Sequence, residues 1–141
     1  MKLIDRLTTG DVIYTSCVDV PFCYHLGIVL DDGKKKRIYH NSPEIKNKYG
    51  GSVCCESYEE FSKEREILKI VRTNATKEDI LNASRKCKRD VWDTFLFNCE
   101  DYILEIVEGH RRSDIRDAWK ISALGIAIIS LLWLNIVQYT K

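Results

Sequence analysis

The stretch CYHLGIVLDDGKKKRIYHN, residues 23–41, reads as two strands joined by a turn. β-Forming residues run from Cys23 to Leu30 without a break, long enough for a buried strand. Asp31-Asp32-Gly33-Lys34 then interrupts, and Asp-Gly between apolar runs is a strong hairpin signal. The second strand runs from Lys35 to Asn41, where Asn41-Ser42-Pro43 ends it. With Asp32-Gly33 as a two-residue loop, Asp31 lies opposite Lys34 and His25 directly opposite His40. Residues paired in this way share a face of the sheet, with Cβ atoms about 4.5 to 5.5 Å apart. Two facing imidazoles offer a base for a thiol and a second group to hold its tautomer. The same pair also suits a solvated strand face, or a metal site with Cys54 or Cys55. Adjacent cysteines point to opposite faces, so at most one could join two histidines, and no metal site is expected.

Outward from the hairpin, Asp11 to Val18 reads as an earlier strand, Ser52 to Glu56 and Ile67 to Arg72 as later ones, and Tyr58 to Lys63 as a short helix. Helical patterns follow. Lys77 to Asp90 opens on Thr76-Lys77-Glu78-Asp79, which resembles a capping box, and Cys99 to about Glu108 stops at Gly109. Strands first and helices afterwards predict an α+β domain, an antiparallel sheet of about five strands packed with helices. A length of 141 residues suits one such domain.

The 22 basic and 21 acidic residues nearly cancel, which argues against nucleic acid as a partner. Six cysteines at 17, 23, 54, 55, 87 and 99 include no CxxC pair, and Met1 to Gly10 is too charged and short for the apolar region of a signal peptide. A reducing compartment is therefore expected, and the glycosylation-like triplets at Asn74 and Asn82 read as chance.

Cys99 stands where an apolar stretch ends, Asn98 can cap, and a helical pattern begins. A thiol in a first helical turn meets backbone N–H groups and the positive end of the dipole, which favour thiolate. The alternative is a cysteine that fills a core.

Ile121 to Tyr139 carries no charge over 19 residues, nearly enough at about 1.5 Å per residue to cross a hydrocarbon core of about 30 Å. Ser122, Ser130, Asn135 and Gln138 weaken that pattern, and a buried core helix would also fit it. Arg111, Arg112, Arg116 and Lys120 precede the span and Lys141 follows it, so the preceding domain is expected on the cytosolic side of a single-pass C-terminal anchor. The expected organisation is a domain over 1–109, a juxtamembrane stalk over 110–120 and a transmembrane tail anchor over 121–139.

Three blocks resemble the lecithin:retinol acyltransferase-like and HRAS-like-suppressor family of the NlpC-type, circularly permuted papain-like superfamily. They are Gly10-Asp11-Val12-Ile13, then Tyr24-His25-Leu26-Gly27-Ile28-Val29 with Ile38-Tyr39-His40, then Asn98-Cys99-Glu100, in that order. The resemblance implies a circularly permuted papain-like fold, with Cys99 as nucleophile, His25 as general base and acid, and His40 as the group orienting His25. Tyr24 and Asn98 would support the oxyanion site. It implies a phospholipid substrate, phospholipase A or acyltransferase output through a Cys-linked acyl thioester, and no cofactor. Many members carry His and Phe after Asn-Cys-Glu, where this chain has Asp101 and Tyr102, and the basic run Lys34 to Arg37 is an addition that could meet anionic headgroups. The alternatives are a cysteine peptidase or amidase with the same residues, and a catalytically idle membrane-tethered adaptor.

Overall fold

The computed structural model describes residues 3–17, 24–93 and 96–110. The elements run α1 (Leu3–Arg6), β1 (Asp11–Ser16), β2 (Tyr24–Asp31), β3 (Lys36–Asn41), β4 (Val53–Ser57), α2 (Tyr58–Phe61), β5 (Ile67–Arg72), α3 (Lys77–Lys86) and α4 (Cys99–Glu108). All five strands join one antiparallel sheet in the order β4-β3-β2-β1-β5, and the chain is α+β as its pattern predicts. Among the described residues no helix is long and apolar enough to cross a membrane, and the stalk beyond His110 and the proposed span 121–139 lie outside them.

β2 is central and its alternation divides the core. Leu26, Ile28 and Leu30 pack with Val12 and with α3 and α4 residues such as Ile80, Tyr102 and Ile106. Val29, on the other face, joins Ile13, Ile38, Leu7 and the α2 residue Phe61. Full burial of such a side chain contributes roughly 1.5–3 kcal/mol, so both faces carry substantial stabilisation.

The helix ends follow the sequence closely. Thr76 and Asp79 form the reciprocal capping box of α3, and Asn98 caps α4 by accepting from the amides of Glu100 and Asp101 at 2.9 and 3.0 Å. Gly109 ends α4 at φ +72°, a conformation that favours glycine. α3 stops at Lys86 rather than Asp90, because the following backbone serves the loop before β4: the Lys88 carbonyl accepts from Asn47 Nδ2 at 3.0 Å and the Asp90 carbonyl from the Ser52 amide at 2.9 Å. Tyr102 is fully buried, and its hydroxyl meets Ser84 Oγ at 2.6 Å, which ties α4 to α3.

The hairpin register differs from the expected one. Asp31 pairs with Lys36, so Asp32 to Lys35 form a four-residue loop and His40 stands opposite Gly27. The direct opposition of His25 and His40 is thereby corrected to a diagonal relation. The cause is the Asp32 carboxylate, which accepts from the Lys34 and Lys35 amides at 2.9 and 2.8 Å and stabilises a wider turn, with Gly33 at φ +80°. A displacement of two residues preserves the face, so both histidines still point to the α2 side.

Gly27 is indispensable to this packing. A Cβ there would lie 2.4 Å from Ile38 Cγ2 and 2.8 Å from the Phe61 ring. Gly27→Ala is expected to lower stability by roughly 1–3 kcal/mol through overpacking. Urea denaturation checks this, and an unchanged midpoint would contradict the close approach.

Candidate active site

His25 and His40 are held in a hydrogen-bonded chain. His25 Nε2 lies 2.9 Å from His40 Nδ1, and His40 Nε2 lies 2.8 Å from Glu56 Oε2. The diagonal offset, about 7–8 Å between such positions, is within reach of two imidazoles, and the rings meet edge to face at 5.0 Å. Phe61 covers both, its ring centroid 5.5 Å from His25 and 5.1 Å from His40. His40 is fully buried and His25 nearly so.

The direction of the chain follows from the carboxylate, because ionised Glu56 can only accept. With a single ring proton, His40 carries it on Nε2 toward Glu56 and accepts at Nδ1. His25 must donate from Nε2, which leaves the lone pair of a neutral imidazole on His25 Nδ1. Burial above all, with Arg65 and any positive charge on His40 acting in the same direction, pushes His25 down from 6.5 to about 3. The group is thus neutral at physiological pH.

Cys54 approaches the same nitrogen, with Sγ 3.2 Å from His40 Nε2. Burial, Glu56 and Cys55 push Cys54 up to about 12, so it stands beside the pair as a neutral thiol. No group of three or more His, Cys, Asp and Glu among the described residues could hold a metal ion.

Cys99 is the first residue of α4, buried, with Sγ 3.9 Å from the Tyr24 carbonyl oxygen. That carbonyl belongs to the peptide leading into His25, so the Cys99 thiol and His25 adjoin the same peptide of β2. They do so from different sides: Cys99 packs with the α3 and α4 core, whereas the His25 ring lies against Phe61. The Tyr24 ring packs on the Cys99 side, 5.5 Å from Tyr14, and burial, Glu100 and Cys99 raise the Tyr14 hydroxyl above its ordinary value. Asn98 has its side-chain oxygen engaged by the helix, a capping role.

Five residues were expected here: His25 and His40 are brought into direct contact, Cys99 and Tyr24 into contact through a carbonyl, and Asn98 forms the cap between them. Glu56 and Phe61 were missed. Glu56 follows Cys54 by two, so strand alternation puts it on the face of β4 that carries Cys54, but only the register with β3, where Cys54 pairs with His40, reveals its target. Compared with protein-family models, curated proteins and solved structures, the chain matches none.

Two outcomes follow from the chain of protons. ¹⁵N spectra of the imidazoles should find His25 protonated on Nε2 and bare on Nδ1, and Glu56→Ala should mix the tautomers; an Nδ1-protonated His25 in the unaltered protein would contradict the assignment. Because folding lowers this group's pKa, the unfolded chain binds the extra proton between pH 6.5 and about 3. The stability it contributes is complete above pH 6.5 and lost as pH falls through that window. His25→Gln should flatten that part of the curve of unfolding free energy against pH, and an unchanged slope would refute the buried neutral imidazole.

Proposed function

We propose that the chain is a membrane-tethered thiol acyl-transfer enzyme acting on phospholipids, with the circularly permuted papain-like design of the lecithin:retinol acyltransferase-like family. The supporting observation is the buried chain Glu56–His40–His25, which leaves an unprotonated nitrogen on the imidazole next to the peptide that Cys99 Sγ approaches.

In this reading His25 Nδ1 takes the Cys99 proton as Sγ attacks the ester carbonyl of a phospholipid. The carbonyl oxygen carries the negative charge of the tetrahedral intermediate. On its collapse the carbon–oxygen bond breaks, and the imidazolium returns its proton to the departing lysolipid alkoxide. The thioester on Cys99 is then attacked by water, or by an amine or hydroxyl acceptor, whose proton His25 receives; the carbon–sulfur bond breaks, the acyl group leaves on the acceptor, and His25 returns the proton to the Cys99 thiolate. His40 positions His25 and spreads its positive charge toward Glu56. Asn98 orients the helix start that carries the thiol. The span 121–139 would act as an anchor that raises the local lipid concentration without adding a substrate contact.

One observation favours the idle adaptor instead. Cys99 is buried in the helical core with its thiol directed at a carbonyl, a contact that suits a structural cysteine. Lipid chemistry separates the two. Incubation with a phospholipid carrying a labelled acyl chain is expected to add that acyl group to Cys99 in a hydroxylamine-sensitive bond, and Cys99→Ser should lower turnover at least about 10³-fold. Absence of acylation together with full turnover by Cys99→Ser would overturn the proposal. Deleting residues 121–141 should release the protein from membranes, and continued retention would contradict the anchor.

A further inference from the structure

The basic run at the hairpin tip is less available to anions than its composition implies. Lys36 Nζ donates to the Ile4 and Asp5 carbonyls at 3.0 Å each, and the cleft there also contains Asp5, Glu59 and Glu60. The cleft beside Arg72 and Lys86 likewise contains Asp79 and Glu105. A third region differs. Two adjoining clefts of about 500 and 400 Å³ share Tyr39, Tyr49, Ser84 and Lys88, and together form one groove between edge strand β4 and the end of α3. Its cations are Lys48, Lys88 and Arg85, and none of its described lining residues is Asp or Glu.

The arrangement is more than a patch of surface charge. Lys48 Nζ and Lys88 Nζ lie 5.1 and 5.0 Å from the centroid of the Tyr49 ring. Both ammonium groups are within cation–π reach of that one ring, which holds two positive charges at the same rim of the groove. The frame that gathers them is rigid. Asn47 Oδ1 accepts from the Tyr49 and Gly51 amides at 2.8 and 3.2 Å, while its Nδ2 donates to the Val53 and Lys88 carbonyls at 2.8 and 3.0 Å. One amide side chain thus fixes both segments that carry the lysines. Gly51 completes the joint, since a Cβ there would lie 2.5 Å from the Lys88 carbonyl oxygen.

The groove and the imidazole pair lie on opposite faces of β4. Cys54 borders the groove, but strand alternation turns its Sγ to the other face, 3.2 Å from His40 Nε2. Tyr39, Val53 and Cys55 give the groove apolar walls next to its cationic rim. A volume of several hundred Å³, apolar walls and paired cations suit an amphiphilic anion.

We propose that this groove is the headgroup site for an anionic phospholipid, whose phosphate is held by Lys48 and Lys88 and whose glycerol end runs along Tyr39 and Cys55. The proposal rests on the lipid reading above and names the part of the substrate that the imidazole pair does not touch. Lys48 and Lys88 supply charge, Tyr49 holds them together, and Asn47 is a positioning residue.

The test uses the full chain carrying Cys99→Ser in non-ionic detergent, so that binding is measured without turnover. Calorimetric titration with dihexanoyl phosphatidylglycerol is expected to give saturable binding, weakened about 10- to 30-fold by Lys48→Gln with Lys88→Gln. Both lysines are exposed, so this variant should keep its melting temperature. Asn47→Ala should also weaken binding although no charge changes, which a diffuse electrostatic attraction would not produce. Inorganic phosphate should compete only at much higher concentration. Undiminished affinity in the double lysine variant would overturn the site, and competition by phosphate as effective as by the lipid itself would overturn its assignment to a headgroup. The two proposals fail separately. Lipid binding of the expected kind without any acyl-enzyme in the unaltered protein removes the enzyme and leaves the groove, whereas acylation of Cys99 with lysine-independent binding removes the groove and leaves the enzyme.

Discussion

Strand β2 is hydrogen-bonded along both edges and its residues from His25 to Leu30 are buried. No slip of its register is tolerable, because a displacement by one residue would send His25 into the helical core and Leu26 against Phe61. This double burial explains why a histidine can sit there at all. A polar ring inside a sheet needs partners, and the diagonal neighbour His40 supplies one without opening the sheet to water. Gly27 opposite His40 supplies the space, since Phe61 occupies the volume that a side chain would fill. The site and the core therefore share one packing solution.

The carboxylate at the end of the chain gives that solution its chemical direction. Two neutral imidazoles alone could share a proton either way, and the base nitrogen of His25 would then be undefined. Glu56, on the edge strand and partly accessible, resolves this by accepting from His40. Burial weakens the tendency of His25 to hold a proton before a reaction.

Much of the fold was legible in local patterns. β5 and α4 have the bounds their sequences suggest, because each is framed by strong signals: α4 by Asn98 and Gly109, and β5 by its β-branched run ending before Thr73-Asn74. The hairpin was legible, but its register was not. Asp-Gly favours a two-residue loop by backbone preference, while the side chain of Asp32 adds two amide contacts that favour a four-residue one. The short α1 carries no periodic pattern to announce it. Of the site, both histidines were visible through their spacing on one hairpin. Glu56 was not, since strand-to-strand register between β3 and β4 depends on the loop 42–52 and on the contacts of Asn47, which are tertiary. The lysine groove was hidden for the same reason: Lys48 and Lys88 lie 40 positions apart in the chain and meet at Tyr49 through Asn47.

Activation of Cys99 by the chain Glu56–His40–His25 can be read from the reactivity of the thiols, by alkylation with iodoacetamide followed residue by residue with mass spectrometry from pH 5 to 9. Cys99 is expected to be modified faster than Cys54, whose thiol is held up to about 12. His25→Gln is expected to slow Cys99 at least about tenfold while leaving the Cys54 rate low. Modification of Cys99 no faster than Cys54, at a rate indifferent to His25, would contradict that activation.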